Sequence, residues 1–140
     1  MKNTESGMQN EEPERASVSG ARHNTPESGY EEWEQNVHPR ILKESIWRFF
    51  GYRKALYAYE LAWCDCDVLQ SDARGRAVSG QLIRSVGSIS ANLEEGHGRG
   101  YGKQRDWFFR VAAGSARESK GWYWRAKPLL APEVVEARLE

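Results

Sequence analysis

The chain has 140 residues, and its 20 basic and 20 acidic side chains leave no formal net charge. This length gives room for one domain, and two cysteines without a matching Cys or His pair exclude a disulfide framework and a structural zinc site. No apolar run approaches the ~20 residues of a membrane span, and the first residues lack the apolar core of a signal peptide. We therefore expect a cytoplasmic protein with reduced thiols and no membrane partner.

The charges are not spread evenly along the chain. Residues 1–40 have four Lys or Arg against eight Glu, whereas the remainder has sixteen against twelve acids. The acidic segment has few aliphatic side chains, so it cannot bury enough apolar area to offset its ordering entropy. We predict a disordered acidic and polar tail over residues 1–42 and a helical bundle over residues 43–140. Tyr30 and Trp33 in this tail are either a short docking motif or part of a solubilising segment.

Hydrophobic periodicity predicts helices over about residues 45–71, 76–95, 103–130 and 132–140. The first of these helices has two adjacent apolar stripes, and an apolar arc this wide indicates contact with two neighbours. Arg53 and Glu60 fall between the stripes and suggest a partly buried polar pair. One stripe consists of Phe49, Tyr52, Leu56, Tyr59 and Trp63, and the other of Phe50, Tyr57, Leu61, Cys64 and Val68.

The second predicted helix is rich in small residues. A short link precedes it, with Asp72 or Ser71 as the helix cap and Gly75 as a flexible position, so the first two helices should be antiparallel neighbours. Gly and Ser lower the stability of the helix itself but let neighbouring backbones approach closely. We therefore predict that this is the central helix of the bundle, and that leucine at Ser88 or Ala91 overpacks it.

The loop Gly96–Gly102 has the glycine content of a phosphate-binding loop but not its register. Neither the dinucleotide pattern GxGxxG nor the Walker A pattern fits, and a predicted helix rather than a strand precedes the loop. His97 has no sequence partner for chemistry or metal binding. We predict no catalytic residue, no metal site and no cofactor, and hence a protein that is not an enzyme.

The third predicted helix is strongly basic on the side opposite its apolar face. Between Arg99 and Lys127 the chain has eight Lys or Arg but only two acids, Asp106 and Glu118. Three explanations stay open: phosphate contacts with base stacking, a subunit interface with Trp at its centre, or a solvated surface. The candidate contact residues are Arg99, Lys103, Arg110, Arg117, Lys120, Trp124 and Lys127. The predicted inner face consists of Phe108, Val111, Ala112, Ser115, Ser119, Trp122, Ala126 and Leu129.

Two stretches of these helices carry a distinctive pattern. Residues 84–99 are similar to R-x-x-x-S-I-x-x-N-I-x-E-G-x-G-R, with Leu93 in place of the second Ile, and residues 108–118 form an aromatic stretch with G-S-x-x-E. The matching residues are Arg84, Ser88, Ile89, Asn92, Glu95, Gly96, Gly98, Arg99, Phe108, Gly114, Ser115 and Glu118. In these motifs the chain resembles the bacterial four helix bundle proteins, a family also called the 23S rRNA intervening-sequence proteins.

The resemblance implies an all-α fold, namely an up-and-down antiparallel four-helix bundle that is commonly assembled as a ring-shaped homopentamer. A related branch is the accessory variability protein of diversity-generating retroelements, which has a basic surface and associates with nucleic acid and a reverse transcriptase. In this chain the fourth predicted helix opens at Pro132 and the sequence stops at Glu140. We therefore expect a truncated fourth helix.

These features predict a non-enzymatic, oligomeric helical-bundle protein of uncharacterised role that contacts RNA or DNA through the basic face of the third helix. The alternative is a protein–protein interaction or scaffold module without nucleic-acid binding. The family-motif residues Arg84, Ser88, Asn92, Glu95, Gly96 and Glu118 are assigned a structural role.

Overall fold

The computed structural model describes residues 29–140, and over that range it contains helices and no strands. The predicted all-α class is confirmed, whereas residues 1–28 of the predicted tail lie outside the described residues. The elements in chain order are α1 (Gly29–Gln35), α2 (Pro39–Leu42), a 3₁₀ helix (Ser45–Arg48), α3 (Phe50–Leu69), α4 (Ala73–Gly98), α5 (Lys103–Ala126) and α6 (Pro132–Leu139).

The helix α4 lies between α3 and α5 and packs against both, while α6 packs against α5. Leu82 and Ser85 at the middle of α4 are fully buried. The core has two parts along the helices. One consists of Ala62, Leu69, Leu82, Val86, Tyr123, Ala126, Leu130 and Val135, and the other of Ile46, Tyr52, Ala55, Leu93 and Ala112.

The core-facing side of α3 differs from the predicted stripes. Its buried residues include two alanines and a carboxylate, whereas several large rings of the stripes are about half exposed, at 54% for Phe50 and 52% for Trp63. Alanine lets α4 approach closely, so the bulky side chains are left at the edges of the contact. The buried residues are Tyr52, Ala55, Ala62, Asp65 and Leu69.

The helix α4 begins at Ala73 rather than near Arg76, because Asp72 caps it. The Oδ1 atom of Asp72 accepts hydrogen bonds from the backbone N–H groups of Arg74, at 2.7 Å, and Gly75, at 3.2 Å. Gly75 is therefore a buried residue of the first turn and not a flexible link. A Cβ atom at Gly75 would overlap the carbonyl oxygen of Leu69, so glycine permits the tight connection from α3.

Residues 29–42 differ from the predicted disordered tail, since they form α1 and α2. Trp33 of α1 is only 7% exposed, and its ring centroid lies 5.3 Å from that of Tyr57 and 6.3 Å from that of Trp47. Part of the second predicted stripe of α3, at Phe50 and Tyr57, is therefore covered by α1. Tyr30 and Trp33, the two aromatic residues of the predicted tail, both pack against Tyr57 of α3.

The expected pairing of Arg53 with Glu60 is wrong, because Arg53 has a different partner. Its Nη1 atom lies 2.8 Å from Oε1 of Glu34 in α1, whereas Glu60 is exposed. The guanidinium of Arg53 also lies 5.3 Å from the ring centroid of Phe50. The ion pair thus ties α1 to α3.

The helix α6 is tied to two other helices by a buried polar cluster. The Nε atom of Arg138 lies 2.8 Å from Oδ2 of Asp65, and the hydroxyl of Tyr123 donates a hydrogen bond of 2.8 Å to the same oxygen. Asp65 belongs to α3 and Tyr123 to α5. The preceding helix ends at Ala126 rather than near Leu130, which leaves residues 127–131 as the connection.

Among residues 29–140, no helix combines the length and the apolar character that a membrane crossing requires. The same range has no group of three or more His, Cys, Asp or Glu side chains placed to hold a metal ion. Cys64 and Cys66 are free thiols, and burial raises the pKa of Cys66 to about 11.

Candidate nucleic-acid interface

The side of α5 that faces away from α4 is basic. Lys103, Arg110 and Arg117 recur every seven residues and therefore lie along one line of the helix. All three are exposed, and within residues 29–140 none of them takes part in an ion pair. Their charges are thus not neutralised in the described part of the chain. We use the name basic face for Lys103, Trp107, Arg110, Arg117, Trp124 and Lys127.

Two exposed indole rings lie within the basic face. Trp124 is 55% exposed, and the Nζ atom of Lys127 lies 3.7 Å from the centroid of its ring. Trp107 is 58% exposed. Trp107 was not among the predicted contact residues, although its place four residues after Lys103 and three before Arg110 is a sufficient signal. The basic face therefore combines cations with exposed aromatic rings at both ends of α5.

Two of the predicted contact residues are engaged elsewhere. The Nζ atom of Lys120 donates hydrogen bonds to the carbonyl oxygens of Leu139 and Glu140, at 3.3 Å for the latter. Arg99 forms an ion pair with Glu95, one turn earlier in the chain. Lys120 thus holds the end of α6, and Arg99 holds the end of α4.

The first family-motif residue, Arg84, connects α4 to α5. Its Nη2 atom lies 2.6 Å from Oε1 of Glu118, which also accepts a hydrogen bond of 3.3 Å from Nε1 of Trp122. Both partners of the ion pair are largely exposed, so it adds little stability but fixes how the two helices align. The pairing also neutralises one of the two acids of α5.

Serine hydroxyls join the same two helices deeper in the interface. The Oγ atom of Ser115 donates to Oγ of Ser88 at 3.0 Å, and Ser119 donates to Ser85 in the same way at 3.1 Å. The Nδ2 atom of Asn92 donates to the carbonyl oxygen and to Oγ of Ser88, at 2.7 and 2.9 Å. These contacts satisfy polar groups that would otherwise be costly to bury.

Gly96 gives α5 the space to cross the end of α4. A Cβ atom at this position would lie 2.8 Å from the ring of Phe109 and 3.1 Å from Cβ of Phe108. Both distances are too short for an ordinary contact, so any side chain would push α5 away. Each of the six motif residues therefore has a neighbour in α4, in α5 or in their connection that accounts for its chemical type.

The helix pair α4 and α5 lies within a stretch that matches a known protein family. Residues 65–130 match the sequence model of the family described as 23S rRNA-intervening sequence protein. Over these residues the chain is similar to that family. The resemblance carried by the two motifs is thereby confirmed. No curated protein and no solved structure matches the chain.

The part that matches the 23S rRNA-intervening sequence proteins contains α4 and α5 complete, and it begins at the buried carboxylate Asp65. It therefore includes the whole basic face and all six motif residues. The helices α1, α2 and α6 lie outside the matched residues. What this chain shares with the family model is the helix pair that presents the basic face.

Proposed function

We propose that this 23S rRNA-intervening sequence protein is a non-enzymatic, oligomeric helical-bundle protein of the cytoplasm that binds RNA or DNA through the basic face. The observation that supports the proposal is the line Lys103, Arg110 and Arg117, whose exposed charges lack acidic partners in the described residues. Such cations neutralise phosphates, and the neighbouring indole rings can stack on bases. The proposal involves no catalysed reaction, metal or cofactor.

The proposal takes α3 to α6 as an up-and-down antiparallel four-helix bundle with a short fourth helix. Short connections support it, because residues 70–72, 99–102 and 127–131 cannot run the length of a helix and favour antiparallel neighbours. The contact of Arg138 with Asp65 supports the arrangement as well, because the fourth helix of such a bundle would touch the first.

Self-association is the second part of the proposal, with five copies as the number that the family resemblance implies. Trp63 and Val68 on α3 are 52% and 53% exposed, and burial of such side chains stabilises an interface. Light scattering on the full chain should show a discrete oligomer that Trp63→Ala weakens. A monomer at all concentrations would contradict this part.

Nucleic-acid binding is tested by the salt dependence of affinity for a single-stranded RNA. Three or four phosphate contacts per chain predict that the association constant falls roughly 20- to 50-fold between about 50 and 200 mM salt. The double variant Arg110→Glu, Arg117→Glu should abolish binding. If the wild-type chain is not retained on RNA at low salt, the nucleic-acid proposal is wrong.

A matched control separates the basic face from overall charge. Arg40→Glu with Lys43→Glu changes the net charge by the same amount at two exposed residues of the α2 region. This control should leave RNA affinity within a factor of about two, because its charges lie off the contact surface. Equal losses in both double variants would indicate a non-specific charge effect and not a defined face.

The alternative function is a protein–protein interaction or scaffold module without nucleic-acid binding. The half-exposed Trp124 favours it, because Trp is enriched at the centres of protein interfaces. In that case Trp124→Ala weakens the oligomer seen by light scattering, and RNA binding is absent at every salt concentration.

A further inference from the structure

A cavity of 360 Å³ opens where α4 connects to α5, next to the first residue of the basic face. Its lining combines three aromatic rings with one guanidinium and one imidazole. Gly100 and Gly102 in the connection have φ angles of +76° and +95°, a backbone conformation that other residues rarely adopt. The lining residues are Phe49, His97, Gly100, Tyr101, Arg105 and Phe109.

The aromatic part of the cavity offers flat apolar surfaces. The rings of Phe49 and Phe109 are nearly parallel, with an interplanar angle of 3° and centroids 5.8 Å apart. Phe109 packs directly against α4 at Gly96, where the absence of a side chain leaves room for its ring. Tyr101 is 90% exposed, so its ring stands at the open side of the cavity with nearly its whole surface available to a ligand. These are the surfaces on which a nucleic-acid base stacks.

The polar part of the cavity is cationic. The guanidinium carbon of Arg105 lies 5.1 Å from the ring centroid of Tyr101 and 5.8 Å from that of Phe109. Its Nε atom is buried and has no hydrogen-bond partner within residues 29–140, since the nearest carboxylate oxygen, on Asp106, is 3.7 Å away. A buried donor without an acceptor is costly. The side chain of Arg105 is a third exposed, so its two Nη groups, which are not buried, are the donors that a ligand oxygen can reach.

The second polar group of the cavity, the His97 ring, is held in place from the opposite wall. Its Nε2 atom lies 2.7 Å from the hydroxyl oxygen of Ser45, just ahead of α3. The residue before α5, Gly102, provides no side-chain cap, so the first N–H groups of the helix add to the positive potential on this side. An anion is therefore the charge type that this part of the cavity favours.

We propose that this cavity binds one unstacked nucleotide of a single-stranded nucleic acid. The base lies against the rings of Tyr101 and Phe109, and Arg105 donates hydrogen bonds to the adjoining phosphate. A cavity of this volume is in the range of small-ligand sites. The inference deepens the proposed function, because Lys103 is two residues from Tyr101 and the strand continues from the cavity onto the basic face.

The test compares two oligonucleotides of about 12 residues, one intact and one in which every base has been removed but the sugar–phosphate chain retained. Tyr101→Ala should weaken binding of the intact strand roughly five- to 150-fold, the loss expected for one stacked base, and leave binding of the abasic strand unchanged. The ring is almost fully exposed, so this variant keeps its fold. Leu42→Ala, which removes an exposed apolar side chain of α2 outside the cavity, is the control and should change neither affinity.

A second measurement tests the cavity without the basic face. Adenosine 5′-monophosphate and inorganic phosphate are titrated separately into the full chain, and the backbone amide resonances of residues 100–103 are followed by NMR. Saturable shifts with the nucleotide, weaker shifts with phosphate and loss of both in Arg105→Gln are expected.

The outcomes distinguish the two proposals. If adenosine 5′-monophosphate shifts the amide resonances of residues 100–103 but the chain binds no oligonucleotide, the proposed function is wrong and nucleotide binding in the cavity is supported. Oligonucleotide binding that depends on Arg110 and Arg117, but not on Tyr101, would uphold the basic face and overturn the cavity. Equal losses for intact and abasic strands in Tyr101→Ala would also overturn base stacking in the cavity.

Discussion

Arg138 and Asp65 are 73 residues apart in the chain, yet the guanidinium and the carboxylate meet in a contact that solvent hardly reaches. Their side chains are 12% and 6% exposed, and Tyr123 supplies a further hydrogen bond to the carboxylate. The cluster joins α6 to α3 and α5 through three side chains. It therefore attaches the short α6 to the rest of the protein, a task that a longer apolar helix face performs in an ordinary bundle.

Removing the cation of this cluster should destabilise the protein strongly. Arg138→Met leaves a buried carboxylate with only the Tyr123 hydroxyl, and breaking one partner of a buried pair costs about 3–5 kcal/mol. Chemical denaturation of the variant and the wild type measures the difference. Adding Asp65→Asn should recover part of the loss, because the uncompensated charge is then gone. A double variant less stable than Arg138→Met alone would contradict this account.

Stability should fall at alkaline pH because of Tyr123. Burial, and next the charge of Asp65, raises the pKa of its hydroxyl well above the ordinary value. Above about pH 10 the unfolded chain has lost this proton while the folded chain retains it, so the unfolding free energy decreases by up to about 1.4 kcal/mol per pH unit for such a group. Below about pH 10 the hydroxyl is protonated in both the folded and the unfolded chain, so Tyr123 causes no change of the unfolding free energy with pH. Denaturation curves between pH 8 and 11 should show a shallower decline for Tyr123→Phe, and an equal decline would be evidence against it.

Glycine at position 75 is expected to be required, whereas glycine at position 80 is not. A Cβ atom at Gly75 would overlap the carbonyl oxygen of Leu69 and lie 2.7 Å from Cδ1 of Leu129, but a Cβ at Gly80 meets nothing within 4 Å. Gly75→Ala should cost about 1–3 kcal/mol or more. Gly80→Ala in the same helix should stabilise the protein by about 0.4–1 kcal/mol, as the unfolded chain loses freedom. Thermal unfolding of the two variants checks the opposite signs.

A larger side chain should be tolerated at only one of two small residues of α4, Ser85 and Ala91. Ser85 is fully buried and bonded to Ser119, so Ser85→Leu overpacks the contact and costs about 1–3 kcal/mol or more. Ala91 is exposed, which corrects the expectation from sequence, and Ala91→Leu should change the unfolding free energy by less than about 0.5 kcal/mol. Urea denaturation of both variants is the measurement. Similar costs would mean that α4 is enclosed on all sides.

The helix α1 should detach without unfolding the rest of the protein. Trp33→Ala removes the ring that packs on Tyr57 and Trp47. We expect hydrogen exchange to become fast in residues 29–36 and to stay slow around Leu82, because short peripheral elements open locally. The control Glu31→Ala, at an exposed position of α1, should leave both regions unchanged. Loss of protection around Leu82 in Trp33→Ala would show that α1 is part of the global folding unit.

The inner face of α5 was largely predictable from sequence, because helical spacing alone selects it. Ala112, Ser115, Ser119 and Ala126 were all assigned to it and are all buried. Tyr123 is buried as well but was not assigned to this face, because the neighbouring Trp122 fits the apolar periodicity equally well. The decisive information is the buried acceptor on Asp65, 58 residues away, which no local pattern contains.

Two other features could not be read from the chain for physical reasons. The core line of α3 depends on small residues such as Ala55 and Ala62, and sequence patterns give more weight to large apolar side chains. The partner of Arg53 is Glu34, in a segment whose composition is that of a disordered tail. Its order comes from aromatic contacts with α3, which become visible only once both elements are placed. The basic face was recognised from its seven-residue spacing, but the cavity beside it depends on ring orientations at three separate elements.

The serine contacts between α4 and α5 have a thermal consequence. Exposure of apolar surface raises the heat capacity of unfolding and exposure of polar surface lowers it. A helix pair that buries hydroxyl groups such as those of Ser85 and Ser119 therefore has a smaller heat-capacity change than a leucine-filled pair of equal area. Its free energy varies less steeply with temperature, so this interface should persist in the cold, where apolar contacts lose strength.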